Sequence, residues 1–588
     1  MDIYSLLFEI VGEGEKKCER YRFANEYKDK LENNTEKDLF EIIKKTCSLC
    51  LVFNDEKSGF TPAFVWGDQR SFALEDLDES GISLLKSIDV TKLPLVIKAR
   101  IADVLGVVCK DTEMVKTAAI SYRELFELTF DITRWTYCVE MIQRAIEISR
   151  KLGKKETVYV DCCKTAYDYL IRVDGTDKLY FSLKILKIII DRKYGDVDDL
   201  LVLIEKIIEN SQDNVDKVEE AYQIKNDLLK WKKASSSSIK QTKVDLAAFL
   251  EKAAEKAMED GTRGVYIAEK YLQKAVNLYH GVGYAANEKS AHKKLIEVQK
   301  EKVKTFQTIK HEIDIKDACE MVVESLEGLS FEESVIQMLR CTPFFERKEI
   351  AKQVKKDTKT FVMRSLTGTA VVNKKGQNIL KLQPLDIQNP EGDKKLFEQH
   401  MYYKANEQED MVGNIYIRGY INEIRKRFSF EKKDILFLTT DNSIIPEGRE
   451  SIFAEALYHG LKGDLYVALH ILAPQVENLF RGIAEMAGGI TVTLRDDGVS
   501  EEKTLASIFD IPELQDCYDA DILFLFQGLM NKRAGANLRN LIAHGILDES
   551  DAYKGTSLYF FAAVMRVLMF TSKGALNIIR NCEKFKNV

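Results

Sequence analysis

The run Arg539-Asn540-Leu541-Ile542-Ala543-His544-Gly545 holds the residues of this chain best suited to reaction chemistry. Arginine carries a permanent charge on a planar fork that matches phosphate oxygens, and histidine exchanges a proton near neutral pH. Together they suit attack on a phosphodiester, with His544 moving a proton while Arg539 stabilises charge on the phosphorane. Among the 7 histidines only His544 has an arginine four to six residues before it. Leu538, Leu541 and Ile542 supply an apolar face to anchor a helix, and Asn540 and His544, at i and i+4, share the opposite face. Gly545 permits a left-handed helix end directly after the histidine. The plainer alternative is a helix cap with a solvated arginine and a hydrogen-bonded histidine.

Other chemistries find less support. The chain has no HExxH, no His-x-His and no carboxylate cluster with metal-ligand spacing, and it has no Gly-x-Gly-x-x-Gly, Walker loop or Gly-x-Ser-x-Gly. No metal or cofactor is therefore expected. Cys47 and Cys50 form a CxxC without a second pair or a nearby histidine, so core positions are expected for them. The same holds for adjacent Cys162 and Cys163 on a helix.

The elements that must position the motif are helices. The chain has 588 residues, enough for at least two cores, and its 8 prolines leave residues 95–342 free of helix breakers. Amphipathic segments run from Val96 to Cys109, Val115 to Phe130 and Cys138 to Leu152. Leu183 to Ile190 and Leu200 to Ile208 flank the Tyr194-Gly195-Asp196 turn as a helix hairpin. The fold class is therefore all-α, with an irregular α-solenoid at residues 1–233. Ala234-Ser235-Ser236-Ser237-Ser238 reads as a linker or long loop. A second helical array is expected at 243–355, with an apolar stripe of Ala268, Tyr271, Leu272, Ala275 and Tyr279 ending at Gly281. Residues 356–400 form a connector and seam, where Val371-Val372 and Ile379-Leu380-Lys381-Leu382 predict a small β-hairpin around Asn373-Lys374-Lys375-Gly376. The C-terminal domain spans 401–588. Leu461 to Met486 is one long helix candidate that Pro474 should kink or break near Ile471. Leu558 to Leu568, apolar on nearly every side, should lie in the middle of a bundle.

Composition excludes several classes. No apolar run reaches the length of a membrane span, and the longest, Leu558 to Phe570, carries Arg566. Met1-Asp2-Ile3-Tyr4 lacks the basic region of a signal peptide, so the expected location is cytoplasmic. The net charge of −7 disfavours a constitutive duplex-DNA binder. Pro446 to Val588 is itself acidic, with 14 Lys+Arg against 19 Asp+Glu. An RNA path would then depend on a local patch, for which Lys532 and Arg533 are the dense candidates.

At these residues a resemblance enters. Arg539-x4-His544 resembles the signature of the HEPN superfamily, all-helical domains that include metal-independent ribonucleases. More narrowly, roughly residues 440 to 588 are similar to a domain family of unassigned function defined by R-N-x-x-x-H-G. Pro446 to Ser451 resembles that family's opening motif. Gly460 to Asp464 and Ala468 to Arg481 resemble its long helix, and Asp497-Gly498 with Thr504-Leu505 its connecting loop.

The resemblance implies a C-terminal helical bundle that forms a homodimer and places two Arg-x4-His motifs across a shared cleft. It implies an endoribonuclease in which the RNA 2′-hydroxyl attacks its own phosphate, leaving a 2′,3′-cyclic phosphate and a 5′-hydroxyl. His544 would be the general base or acid, paired with the His544 of a second copy. Arg539 would hold the phosphate and Asn540 would orient it, while Gln475, Glu477 and Arg481 would line the cleft. The N-terminal helices would sense a protein or ligand trigger, as in toxins and anti-phage defence effectors. The competing expectation is a non-enzymatic scaffold, with helices presenting a partner-binding face and a C-terminal bundle that dimerises or binds a nucleotide.

Overall fold

The computed structural model describes residues 2–12, 23–53, 58–66, 69–307, 312–361, 363 and 367–585. The chain is all-α, and strands occur among the described residues only as short antiparallel pairs. It divides into two compact units, Met1–Lys302 and Val303–Val588.

The first unit opens with α1 (Ile3–Val11) and α2 (Asn34–Ser48), followed by the pairs β1 (Cys50–Leu51) with β2 (Phe60–Thr61) and β3 (Val65–Trp66) with β4 (Gln69–Arg70). The helical array is α3 (Leu95–Cys109), α4 (Thr112–Leu128), α5 (Trp135–Arg150), α6 (Thr157–Val173), α7 (Phe181–Arg192), α8 (Val197–Asn210) and α9 (Val215–Trp231). It continues as α10 (Ser236–Ala257), α11 (Gly261–Val282) and α12 (Ala285–Lys304). Left-handed Lys110, Asp174 and Lys193 end α3, α6 and α7. The side chains of Asp111, Asp196 and Asn214 cap α4, α8 and α9, so the reversals expected from the amphipathic pattern have local causes. Cys162 and Cys163 are fully buried, and burial pushes the Cys162 thiol up to about 12.

Two expectations are corrected here. Cys50 is exposed and Cys47 only half-buried, because the chain leaves α2 for the short strand β1 before it can bury the pair. Ser236 to Ser238 are not linker but the first turn of α10. Ser235 caps it, its hydroxyl accepting the Ser238 N–H at 3.2 Å and satisfying an amide that the helix start leaves without a partner.

In the second unit α13 (Phe331–Cys341) and α14 (Arg347–Thr360) precede the hairpin β5 (Thr369–Val372) and β6 (Asn378–Leu382). The two strands and their turn are as expected, and the hairpin pairs Thr369 with Leu382 and Val371 with Leu380, with a register shift between Val371 and Val372. It lies inside this unit rather than at a seam, since the division falls near Lys302. The connector assigned to 356–400 begins within α14, which runs to Thr360, and residues 362 and 364–366 of it lie outside the described ones. Next come α15 (Lys394–Val412), a π-helical turn at Gly413–Ile417, α16 (Arg418–Arg427), α17 (Glu450–Leu461) and α18 (Leu465–Met486). Hairpin β7 (Val492–Leu494) with β8 (Ser500–Glu502) leads to α19 (Ala520–Met530), α20 (Leu538–Ala543), α21 (Glu549–Ala552), α22 (Gly555–Thr571) and α23 (Lys573–Asn581). Helix α22 is buried from Gly555 to Met565 on every side and is packed by α13, α15, α17, α18 and α23. Its nearly continuous apolar sequence is that of a central bundle helix. No helix among the described residues is long and apolar enough to cross a membrane.

Glu409, on α15, is 2% exposed, and burial raises its carboxyl from the usual 4.5 to about 8. The folded state then keeps a proton that the unfolded chain releases, so stability should fall as pH rises from about 4.5 towards 8 and level off beyond it. Glu409→Gln should flatten this slope. Melting temperatures between about pH 5 and pH 9 would show it; parallel curves for the two proteins would contradict the assignment.

Candidate functional site

The long helix α18 supplies the floor of the site. Asp464 caps it, its carboxylate accepting the Val467 N–H at 3.3 Å. The helix begins at Leu465 rather than Leu461, because Gly463 at φ +90° separates it from α17. It also runs through Pro474 as one helix, so of the kink or break expected near Ile471 the break does not occur. Leu472, Ala473 and Val476 around the proline are buried, and packing on both sides outweighs the roughly 3 kcal/mol that an interior proline costs. Gln475, Glu477 and Arg481 project from its second half.

The motif helix α20 is only six residues long and packs against α18 and α19. Leu538 is buried, and Leu541 and Ile542 pack half-buried against the core, as their spacing predicts. Gly545 adopts φ +64° and ends the helix just after His544. At the other end Asn537 holds φ +54°, a left-handed position that asparagine tolerates better than most residues.

These elements bring together Arg539, Asn540, Glu477 and Arg481. The Arg539 Nε–H donates to Glu477 Oε2 at 2.8 Å, and Glu477 Oε1 lies 3.7 Å from an Arg481 nitrogen. Arg539 also reaches Asn540 Oδ1 at 3.5 Å, and Asn540 Nδ2 donates to Asn537 Oδ1 at 2.7 Å. Arg481 continues the chain outward, pairing with Glu502 at 2.9 Å and donating to the Lys503 carbonyl at 2.9 Å. Two arginines are thus matched by two carboxylates. Glu477 is deeply placed at 14% side-chain exposure, whereas Arg539 is 33% exposed. His544 is exposed, with its backbone N–H on the Asn540 carbonyl at 3.1 Å and no hydrogen bond to its ring among the described residues.

The other expected site residues lie apart. The Gln475 side-chain oxygen is buried without a hydrogen-bond partner among the described residues. Lys532 places its ammonium 5.4 Å from the Tyr402 ring centre on α15, and Arg533 is exposed. No hydrogen bond or ion pair among the described residues joins either cation to the motif. Among the described residues no group of three or more His, Cys, Asp or Glu side chains is arranged to hold a metal ion.

A family model described as "Domain of unknown function (DUF7380)" matches residues 10–161. The match lies wholly within the first unit and does not reach the motif. No curated protein matches the chain.

Sequence reasoning missed Asn537, Glu502 and Lys503. Asparagine directly before the apolar run of α20 was a usable signal, since helix starts favour that residue type. Glu502 and Lys503 carried none, because they reach Arg481 only through the return of β8.

Proposed function

We propose that the second unit is a metal-independent endoribonuclease of the HEPN type that works as a homodimer. The observation that supports this most is the division of labour across α20: an arginine held by a deeply placed carboxylate, and an exposed histidine whose ring has no hydrogen bond among the described residues. In the reaction His544 takes the proton of the RNA 2′-hydroxyl, and that oxygen attacks the adjacent phosphorus. The Arg539 guanidinium stabilises the charge on the phosphorane, and Asn540 orients the phosphate. The P–O5′ bond then breaks, the leaving oxygen takes a proton from the His544 of the second copy, and a 2′,3′-cyclic phosphate remains. On this reading the protein acts in the cytoplasm as a toxin or defence effector, and its first unit receives the trigger.

The test is RNA cleavage by the purified protein in EDTA. His544→Ala and Arg539→Ala should each lower the rate by about 10²–10⁴-fold, and products should end in cyclic phosphate. Cutting that persists in both variants would refute the assignment. The Glu477–Arg539 pair favours a second reading, a non-catalytic dimerisation or nucleotide-binding module, because it already balances the guanidinium charge. Folded dimer that leaves a broad RNA pool intact would move the balance to that reading.

A further inference from the structure

We infer that Lys374, at the tip of the β5–β6 turn, is a positioning residue for His544, tying the hairpin to the loop that follows the histidine. This builds on the functional reading above, but most of its test does not need RNA. The turn is a rigid mount. Asn373 Oδ1 accepts the N–H groups of Lys375 and Gln377, both at 2.9 Å, and the Asn373 amide donates to the Gln377 side chain at 2.9 Å. Gly376 at φ +80° closes it, with its N–H on the Asn373 carbonyl.

From that mount the Lys374 ammonium meets three groups of one loop. It bonds the Asp548 carboxylate, donates to Ser550 Oγ at 2.6 Å and lies 3.5 Å from Asp551. The other Asp548 oxygen caps α21, accepting the Asp551 N–H at 3.0 Å and the Ser550 hydroxyl at 2.8 Å. Asp548, Glu549 and Asp551 crowd three carboxylates into four residues, and only Lys374 and Lys554 pair with them among the described residues. The Lys374 ammonium holds the Asp548 carboxyl far below the usual carboxylate range.

The loop between this clamp and the histidine is short and taut. The N–H groups of Ile546 and Leu547 both return to the Leu541 carbonyl, at 2.8 and 3.1 Å, and Leu547 is buried. Among the described residues the His544 ring has no hydrogen bond, so where it is carried depends on backbone held at Leu541 on one side and at Asp548 on the other. A single exposed ion pair is worth little. Here one cation serves three groups of one loop, so a single side-chain ordering cost is shared among three contacts.

Lys374→Glu should speed amide exchange across residues 546–552 about five- to tenfold, leave α22 unchanged and shift the ring resonances of His544. With 7 histidines in the chain, His544→Ala assigns that signal. Lys374→Arg should keep wild-type exchange and resonances. Unchanged loop exchange, or a His544 signal that stays in place while the loop loosens, would overturn the positioning role. RNA cleavage forms a separate arm. A wild-type protein that cuts no RNA counts against the ribonuclease reading and leaves the exchange and resonance results to decide the clamp.

Discussion

Asp103→Ala should remove about 3–5 kcal/mol from the first unit, a large share of the roughly 5–15 kcal/mol that holds a domain together. Asp103 on α3 and Arg144 on α5 are 1% and 2% exposed, and the carboxylate accepts two guanidinium N–H bonds, each 2.8 Å long. Tyr122 on α4 donates to the same carboxylate at 3.2 Å, and Arg144 also donates to the Ser58 carbonyl at 3.1 Å. Its guanidinium lies 4.9 Å from the Phe60 ring centre, so one arginine joins three successive helices to the β1–β2 pair. Removing Asp103 strands a cation away from water, and the desolvation penalty then stands without its compensation. Urea unfolding followed by amide exchange in α3–α5 peptides reads the loss. Replacing both partners, Asp103→Leu with Arg144→Met, should recover most of it. A single-variant loss below about 1 kcal/mol would mean that the guanidinium finds water or another acceptor.

The second large effect concerns the joint behind the motif loop. Gly555→Ala should cost about 3 kcal/mol or more and lower the melting temperature of the second unit by about 5–10 °C. A Cβ on Gly555 would sit 1.9 Å from the Asp410 carbonyl oxygen, and one on Gly413 would sit 1.8 Å from the Gly555 oxygen. Backbone touches backbone there, so no side chain can turn aside to make room. The π-helical turn starting at Gly413 lies at this crossing, and Thr556 donates its N–H to Asp410 Oδ1 at 3.2 Å. Gly413→Ala should act on the same contact, and the double variant should lose less than the sum of the two. Melting curves within about 1 °C of wild type would show that the helices separate without cost.

Neither glycine announces this role in sequence. Gly413 ends a helical pattern and Gly555 begins one, positions where glycine is ordinary. Only the approach of α15 to α22 makes a Cβ intolerable. Pro474 shows the converse: its local signal allowed a break, and with its neighbours buried the helix continues through it. The serine run behaved similarly, since low complexity suggested a loop while Ser235 supplied a cap and α10 began one residue later.

The sequence by itself determined what depends on near neighbours. Apolar spacing set the helical class and the buried character of α22. Asn373 and Gly376 set the β5–β6 turn, and Gly545 set the end of α20, because each supplies a local hydrogen bond or a positive φ. The tertiary structure alone decided who meets whom. Arg539 meets Glu477 across 62 positions, and Lys374 meets Ser550 across 176. The state of the Arg539 charge and the hold on the His544 loop follow from those meetings. Such pairings arise when helices pack by their apolar faces and carry their polar residues along. The pattern of one segment contains the face but not the partner.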